Sequence, residues 1–228
     1  MLYIISTPIG NLGDISLRAT ETLKNVDLIL CEDTRTTKKL LDRYEIKTST
    51  ISYHQHSKLK KLEYISEQLK KGKNIALVSD AGTPTISDPG AKLVEYLLGK
   101  LPDLEAIPIP GPCAAVAALS VSGFPADKFV FLGFPPIKKK RKKFFQEIKE
   151  IKRTIVFYES PHRIIKTLKE LQDTNIVVCR ELTKKFEIIY RGKPERIISQ
   201  LTPPARLPDG QAGGRIKGEF VIVIKGKK

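Results

Sequence analysis

Carboxylates and hydroxyls follow two apolar stretches in the first half of the sequence, and these residues are well suited to chemistry. Ser79 and Asp80 follow IALV, and Glu32 and Asp33 follow VDLILC. In open α/β sheets, ligands bind beyond the carboxyl ends of the strands, where such side chains lie. A carboxylate there can accept a hydrogen bond from a ligand or take a proton from it. The pattern therefore predicts a ligand site at the strand ends, with Asp80 as its central group.

The loop that contains Ser79 and Asp80 runs from Val78 to Gly90 and reads VSDAGTPTISDPG. Gly82 and Pro84 favour a turn. Asp88 followed by Pro89 predicts a helix N-cap and a first helical position, so that a helix would begin with AKLVEYLLGK. A tight strand-to-helix connection, in which these residues serve only the backbone, explains the pattern equally well. The spacing alone does not identify a ligand.

Two other predicted strands also lead into loops. TPIGNLGDIS follows the strand Leu2–Ser6, but its Pro8, Gly10 and Gly13 do not form a GxGxxG fingerprint, and a simple turn is favoured over a dinucleotide site. After VDLILCED, a helix is expected over TRTTKKLLDRY, with Arg35 in its first turn. Charged side chains are thus expected at more than one strand end.

The histidines and cysteines do not form a metal-binding pattern. His54 and His56 are two residues apart, which in a strand would place both on one face, but no third ligand can be located. We favour the interpretation that the two histidines are polar loop residues or a pair that contacts RNA, rather than metal ligands. Cys31, Cys113 and Cys179 lie far apart with no CxxC spacing, so neither a zinc site nor a disulfide framework is predicted.

Basic residues dominate the charge. The sequence has 40 Lys and Arg against 25 acids and a net charge of +15, which favours a polyanion such as nucleic acid, with a polycarboxylate metabolite as the alternative. In the run KKKRKK, Lys138–Lys143, contact with a phosphate backbone is favoured over a solvated face. SPHR, Ser160–Arg163, predicts a serine-capped helix start with Pro161 in the first turn, presenting His162 and Arg163 to an anion.

The elements that must position these residues alternate between strands and helices. The 228 residues, 41% of them hydrophobic, suffice for one large or two small α/β domains. The proline-rich crossing Pro108–Pro112 predicts an N-terminal α/β domain, 1–110, and a C-terminal α/β domain, 111–228, with a mixed sheet. The residues expected to form buried helix stripes are Leu17, Thr20 and Leu23, then Leu59, Leu62, Ile65 and Leu69, then Phe144, Phe145, Ile148 and Ile151.

Nothing in the sequence indicates a membrane or a secretory signal. No apolar run reaches the length that spans a bilayer, and the N-terminus MLYIISTPIG has no basic region before its apolar residues. A cytoplasmic protein is expected.

The series of short motifs resembles the ribosomal RNA small subunit methyltransferase I branch of the tetrapyrrole methylase superfamily. The motifs are STPIGNLGDIS, CEDTR with TTKKLL, SYHQH, SDAGTPTISDPG, PGPCAAVAALSVSGFP, GFPP, FYESPHR, RELTKKFE and GEFVIV. The resemblance implies two α/β domains of the tetrapyrrole-methylase type (class III methyltransferases) with S-adenosylmethionine in the cleft between them. It also implies a homodimer that methylates the 2′-hydroxyl of a cytidine ribose in the 16S ribosomal RNA of the 30S subunit.

The resemblance also assigns residues to the site. The implied cofactor contacts are Pro8, Asp80, Ala81, Gly82, Thr83, Ile86, Ser87, Ala114, Ala115, Tyr158, Glu181 and Leu182. The acids Asp33, Glu159 and Glu181 are candidate general bases, although ion pairs with Arg35, Arg163 and Arg180 would explain each of them equally well. The expected RNA contacts are Arg35, His54, Lys138, Lys139, Lys140, Arg141, Lys142, Lys143, His162 and Arg163, and no metal is expected.

Three features depart from the family pattern. Longer relatives have a small helical extension after the last strand, the loop Ala205–Gly218 is longer than expected, and Cys113 stands where serine is usual after PGP. None of these changes an expected cofactor contact. A methylase of a tetrapyrrole precursor and a non-catalytic RNA-binding factor are the alternatives, and the CEDTR, SYHQH and SPHR motifs with the basic run favour the RNA branch.

Overall fold

The protein forms two compact units in a computed structural model that describes residues 1–54, 57, 59–202 and 215–227. The units are Met1–Cys113 and Ala114–Lys228. The boundary at 110/111 stays a prediction. His56 and most of the loop Ala205–Gly218 lie outside the described residues. Within the described part, no helix is long and apolar enough to cross a membrane.

The first unit is built on a five-stranded parallel sheet in the order β3-β2-β4-β1-β5. Its strands are β1 (Leu2–Ile5), β2 (Leu28–Cys31), β3 (Thr50–Ser52), β4 (Ile75–Leu77) and β5 (Ala106–Ile109), and its helices are α1 (Leu17–Asn25), α2 (Thr34–Arg43), α3 (Leu59–Lys70) and α4 (Ala91–Lys100). Leu28 and Leu30 belong to one hydrophobic cluster, and Ile29 and Cys31 to another. Because side chains alternate along a strand, both faces of β2 are buried, which explains its continuous apolar sequence.

The second unit contains a mixed sheet, as predicted, in the order β6-β7-β10-β8-β9. Its strands are β6 (Phe129–Phe131), β7 (Thr154–Glu159), β8 (Ile176–Arg180), β9 (Ile188–Gly192) and β10 (Phe220–Ile224), and its helices are α5 (Ala114–Ser122), α6 (Arg141–Glu150), α7 (Ile164–Glu170) and α8 (Pro194–Leu201). Strands β6 and β7 are parallel, and the other pairs are antiparallel. The central strand β10 is buried along its whole length.

The predicted helix stripes are correct except near two helix starts. Leu23, Ile65, Leu69, Phe145 and Ile148 are buried as expected. Leu17 and Leu59, the first residues of α1 and α3, are instead exposed. Periodicity identifies the apolar face of a helix, but it does not reveal where the sheet beneath that face ends.

Two predicted helix caps are wrong because tertiary contacts use the side chains differently. Helix α4 begins at Ala91 with Gly90 in the N-cap position, while the Asp88 carboxylate is hydrogen-bonded to Ser79. Helix α7 begins at Ile164, and the Ser160 hydroxyl accepts a hydrogen bond from Nε of Arg163 at 3.0 Å.

One member of the basic run is a core residue. The Arg141 side chain is only 5% exposed and lies 2.7 Å from the Glu170 carboxylate and 3.8 Å from that of Glu159. It also donates to the Thr167 hydroxyl at 2.7 Å and to the Pro136 carbonyl at 3.1 Å. The prediction that Arg141 contacts RNA is therefore wrong, since carboxylates from β7 and α7 hold its guanidinium inside the unit.

We expect Arg141→Ala to lower the free energy of unfolding by about 3 kcal/mol, because it leaves the partly buried Glu170 without its cation and removes one of the two cations beside buried Glu159. The neighbouring Lys142 is exposed, and Lys142→Ala should stay within about 0.5 kcal/mol of wild type. Urea denaturation of both variants measures the difference. Equal stabilities of the two variants would contradict a structural role for Arg141.

Candidate functional site

Three loops meet at the carboxyl ends of β1, β4 and β5. The backbones of Thr7 and Gly82 exchange two hydrogen bonds, at 2.8 and 3.0 Å. The hydroxyls of Ser6 and Thr83 are 2.9 Å apart, and the Thr83 hydroxyl also donates to the Pro112 carbonyl at 3.1 Å. The loops after β1, β4 and β5 are therefore joined by hydrogen bonds into one assembly within the first unit.

This assembly needs close backbone approach and unusual dihedral angles. Gly82 has a φ of +83°, and a Cβ on Gly111 would lie 2.9 Å from Cβ of Ser6. Thr85 and Ser87 have φ values of 74° and 63°, in a region that L-residues with side chains rarely adopt. Backbone of this kind persists only where the surroundings enforce it, and such residues cluster at functional sites.

A polar pocket of about 420 Å³ lies beside this assembly, at the ends of β2, β3 and β4. The residues that line it are Glu32, Asp33, Thr34, Arg35, Ser52, His54 and Asp80. The Asp33 amide donates to Oδ1 of Asp80 at 3.1 Å, which joins the end of β2 to the loop after β4. The structure thus brings together Asp33, Arg35, His54 and Asp80, all selected from the sequence. Thr34 and Ser52 were missed, although their places beside strand ends could have indicated them.

Asp33 is held in its ionised form by local contacts. Its carboxylate accepts hydrogen bonds from the Arg35 side chain at 2.7 and 3.1 Å and from the Arg35 amide at 2.8 Å, where it caps α2. The Arg35 hydrogen bonds hold the pKa of this carboxyl well below its usual range. The predicted ion pair is confirmed, and the Arg35 side chain is 88% exposed.

Asp88 behaves in the opposite way. Burial raises the pKa of its carboxyl to about 6, a hydrogen bond with Ser79 opposes the shift, and the nearby charges of Glu32 and Asp80 add to it. Sequence reasoning treated this residue as a helix cap. Its burial, reinforced by two nearby acids, gives the first unit a carboxyl whose pKa is about 6.

The pocket has the chemistry of a hydrogen-bond acceptor. Its wall contains the carboxylates of Glu32, Asp33 and Asp80 against the one cation Arg35, which is paired with Asp33, so acceptor groups remain for hydroxyl groups, amines and cations. Among the described residues, no group of three or more His, Cys, Asp and Glu side chains is arranged to hold a metal ion.

Five of the implied cofactor residues belong to the second unit: Ala114, Ala115, Tyr158, Glu181 and Leu182. Tyr158 is half-buried, and its ring contacts Phe131 and Phe134 at centroid distances of 5.1 and 5.4 Å. Ala115 is buried, and Ala114 and Leu182 are half-buried. Contact of these residues with a cofactor stays a prediction.

Glu181 adopts a φ of 53° and is tied to the residues around it. Its carboxylate accepts from the Lys184 ammonium at 3.1 Å and from the Glu219 amide at 2.9 Å. Burial opposes ionisation, but these contacts outweigh it and lower the pKa of the carboxyl. The direct partner of Glu181 is Lys184 rather than the suggested Arg180, which donates to the Lys217 carbonyl at 3.0 Å and only assists through its charge in lowering this pKa.

Glu159 has no accessible carboxylate surface, so its suggested role as a base in a cleft is not supported. One oxygen accepts from the Ser160 amide at 2.7 Å and from Arg163 at 2.8 Å. The other accepts from the Thr167 hydroxyl at 2.5 Å. The ion-pair interpretation of Glu159 with Arg163 is the correct one.

The other predicted RNA contacts are at the surface. Lys138, Lys139, Lys140, Lys142, Lys143 and His162 are exposed. Arg163 is half-buried, and besides Glu159 it contacts the Pro135 carbonyl at 3.0 Å. Binding of RNA by these residues stays a prediction.

Comparison with known proteins gives one consistent family. The family model of tetrapyrrole (corrin/porphyrin) methylases matches residues 1–198. The chain is 46% identical to the ribosomal RNA small subunit methyltransferase I of Buchnera aphidicola subsp. Schizaphis graminum, covering 100% of this chain and 79% of the relative. It is 42% identical to the protein of the same name from Thermotoga maritima, covering 100% and 99%.

Solved structures of low identity share the fold. A cobalt precorrin-4 methyltransferase superposes with a TM-score of 0.65 at 19% identity, covering 98% of this chain and 94% of its own. A diphthine synthase superposes with a TM-score of 0.68 at 13% identity, covering 98% and 89%. At these identities the likeness establishes the α/β architecture alone.

We expect Gly111→Ala to destabilise the first unit by about 1–3 kcal/mol, because the added methyl group would overlap Cβ of Ser6. Gly99→Ala is the matched control, since a Cβ there meets no described atom within 4 Å and the residue lies in α4. That substitution should stabilise the protein by up to about 1 kcal/mol. Urea midpoints measure both effects, and a neutral Gly111→Ala would show that the loops can separate without cost.

Asp88 should make stability depend on pH. A carboxyl whose folded pKa is raised binds its proton more tightly when folded, so its contribution is lost as pH rises from 3.8 toward and beyond about 6. Asp88→Asn keeps the uncharged form, so its stability relative to wild type should increase over that window. Urea denaturation across this range tests it, with Asp103→Asn, at an exposed position of the same unit, as control. A constant difference between Asp88→Asn and wild type would refute the assignment.

Proposed function

The chain belongs to the tetrapyrrole methylase family, and on that basis we propose that it is an S-adenosylmethionine-dependent methyltransferase of small-subunit ribosomal RNA. The supporting observation is the identity of 42–46% over essentially the whole chain to proteins named ribosomal RNA small subunit methyltransferase I. The enzymes of corrin and porphyrin synthesis among the structural neighbours are only 14–19% identical. Identity therefore favours an RNA substrate over a tetrapyrrole.

The finer parts of the proposal concern the acceptor and the setting. The methyl acceptor is the 2′-hydroxyl of a cytidine ribose in 16S RNA, within a 30S particle in the cytoplasm, and the enzyme acts as a homodimer. The net charge of +15 supports a polyanionic substrate. The exposed lysines after β6 and the exposed Arg35 at the pocket are available for phosphate contacts.

The first unit contains chemistry that fits the methyl donor. Gly82 has the positive φ that lets a backbone approach a ligand closely, and Asp80 offers an exposed carboxylate at the pocket wall. Negative potential from Glu32, Asp33 and Asp80 suits a sulfonium cation. The proposed donor contacts of this unit are Pro8, Asp80, Ala81, Gly82, Thr83, Ile86 and Ser87, and those of the second unit are Ala114, Ala115, Tyr158, Glu181 and Leu182.

When bound, S-adenosylmethionine supplies a methyl group that its positive sulfur already activates. The protein's task is to orient the acceptor hydroxyl and to accept its proton. Of the three candidate bases, Asp33 lines the pocket, whereas Glu159 is buried and Glu181 is bound to Lys184. We infer that Asp33 is the proton acceptor and that Arg35 leaves it for an RNA phosphate, which would raise the Asp33 pKa toward its usual value.

We expect Asp80→Ala to weaken donor binding by about 1–3 kcal/mol, because it removes a charged hydrogen-bond acceptor from the pocket. Isothermal titration calorimetry with S-adenosylmethionine measures the change, and retention of RNA affinity separates it from a general loss of fold. Asp103→Ala, an exposed carboxylate of the same unit, is the control. Wild-type donor affinity in a folded Asp80→Ala protein would leave this carboxylate with only a role in the turn.

We expect the purified protein to transfer labelled methyl groups to 30S particles or to 16S RNA. Alkaline cleavage uses the ribose 2′-hydroxyl as nucleophile, so a 2′-O-methyl group should remove one rung from an alkaline ladder. Labelled RNA with a complete ladder would disprove ribose methylation. Label in a tetrapyrrole precursor alone would identify the alternative function, and failure to bind the donor would identify a non-catalytic RNA-binding factor.

A further inference from the structure

Two exposed apolar side chains lie directly before the lysines of the basic run. Phe134 is 53% exposed and Ile137 is 69% exposed, in the segment Gly133–Lys140, which reads GFPPIKKK. Single exposed apolar residues are common on protein surfaces, but an aromatic and an aliphatic residue beside a cluster of cations form a patch of mixed chemistry. The lysines Lys138, Lys139, Lys140, Lys142 and Lys143 are all exposed.

The segment is held firmly from beneath. The Arg163 guanidinium donates to the Pro135 carbonyl at 3.0 Å, and that of Arg141 donates to the Pro136 carbonyl at 3.1 Å. The Gly133 carbonyl accepts from the Tyr158 amide at 2.8 Å. Carbonyl groups on both sides of Phe134 are therefore fixed, so its side chain is presented from a supported backbone rather than from a free loop.

Buried Glu159 organises this support. It lies 2.8 Å from Arg163 and 3.8 Å from Arg141, on opposite oxygens. Burying Glu159 and Arg141, with Arg163 partly buried beside them, has a desolvation cost that an apolar core would avoid, and such arrangements can be retained for positional specificity. Here the two arginines hold the carbonyl groups of Pro135 and Pro136 in fixed positions within an exposed segment.

The charges at this surface indicate an anionic partner. Helix α6 begins immediately after the segment, and its first turn, Arg141-Lys142-Lys143, contains no acid. Within the described part of the chain, no side chain caps that end. Cations are unfavourable at the positive end of a helix, and an anion bound nearby would remove the conflict.

We propose that Phe134 and Ile137 form a stacking surface for unpaired bases of RNA, whose phosphates are bound by the adjacent lysines. Proteins that bind single strands combine a basic surface with aromatic rings on which bases stack, and this segment supplies both. The inference rests on the proposed function for its choice of RNA. A lipid surface also combines apolar and anionic chemistry, but two side chains provide little area for insertion.

The absence of tryptophan from the sequence permits a direct test. Phe134→Trp introduces a single reporter at the proposed surface, and Phe186→Trp introduces one at a 70% exposed phenylalanine that also follows lysines. A saturating unpaired RNA dodecamer should quench the emission of the first protein and leave that of the second nearly unchanged. The same strand without bases should quench neither. Unchanged emission of Phe134→Trp at saturation overturns the proposal.

Affinity measurements provide a second test that is independent of the reporter. With a labelled dodecamer, Phe134→Ala should lose about 5- to 100-fold in affinity and Ile137→Ser a smaller factor, whereas Phe186→Ala should match wild type. The dependence of affinity on salt should stay as in wild type, because no phosphate contact is removed. Replacing Lys138, Lys139 and Lys140 with neutral residues should make the affinity less dependent on salt.

Several outcomes would overturn the stacking surface. These are failure of the wild-type protein to bind the unpaired strand, equal losses for Phe134→Ala and Phe186→Ala, and an affinity of Phe134→Ala that falls for anionic vesicles but not for RNA. Methyl transfer is measured separately on the wild-type protein. Quenching at position 134 without any methyl transfer would support the surface while removing the proposed function, so the two failures can be distinguished.

Discussion

The pairing between the backbones of Thr7 and Gly82 is the constraint on which the first unit's site depends. It fixes the loop after β1 against the loop after β4, and the hydroxyls of Ser6 and Thr83 extend the contact to Pro112 after β5. Parallel strands bring their carboxyl ends to one edge of a sheet, but they leave the loops there free to diverge. Hydrogen bonds between these loops convert that edge into a defined surface, at the cost of unusual dihedral angles.

The carboxyl groups at this edge differ in pKa because their surroundings differ. Asp33 has Arg35 and a helix N-terminus, so its carboxyl is ionised far below neutral pH. Asp88 is half-buried beside Glu32 and Asp80, and its pKa rises to about 6. Similar side chains within one loop system therefore have different proton affinities. Such separation prepares neighbouring acids for different roles: without a ligand Asp33 is an ionised carboxylate, whereas Asp88 holds its proton more tightly.

In the second unit, a buried carboxylate positions two arginine side chains. Glu159 is the last residue of the hydrophobic strand β7 and receives hydrogen bonds from Arg163, Ser160 and Thr167. Placed where a catalytic acid was expected, it instead directs two guanidinium groups to the carbonyls of Pro135 and Pro136. A strand-end acid can thus support a surface segment that is distant in the sequence, and its function cannot be inferred from its place in the chain.

The sequence by itself determined the order of strands and helices, the mixed sheet of the second unit, and several residues of the pocket wall. Periodicity and strand-end chemistry are local properties, which is why Asp33, Arg35, His54 and Asp80 could be selected before any contact was known. Tertiary structure alone decided which cation of KKKRKK turned inward. Arg141 and Lys142 are adjacent and similarly charged, but Glu159 and Glu170 come from later elements and reach only the first. The partner of a buried charge is set by packing between distant segments, and local sequence does not encode it.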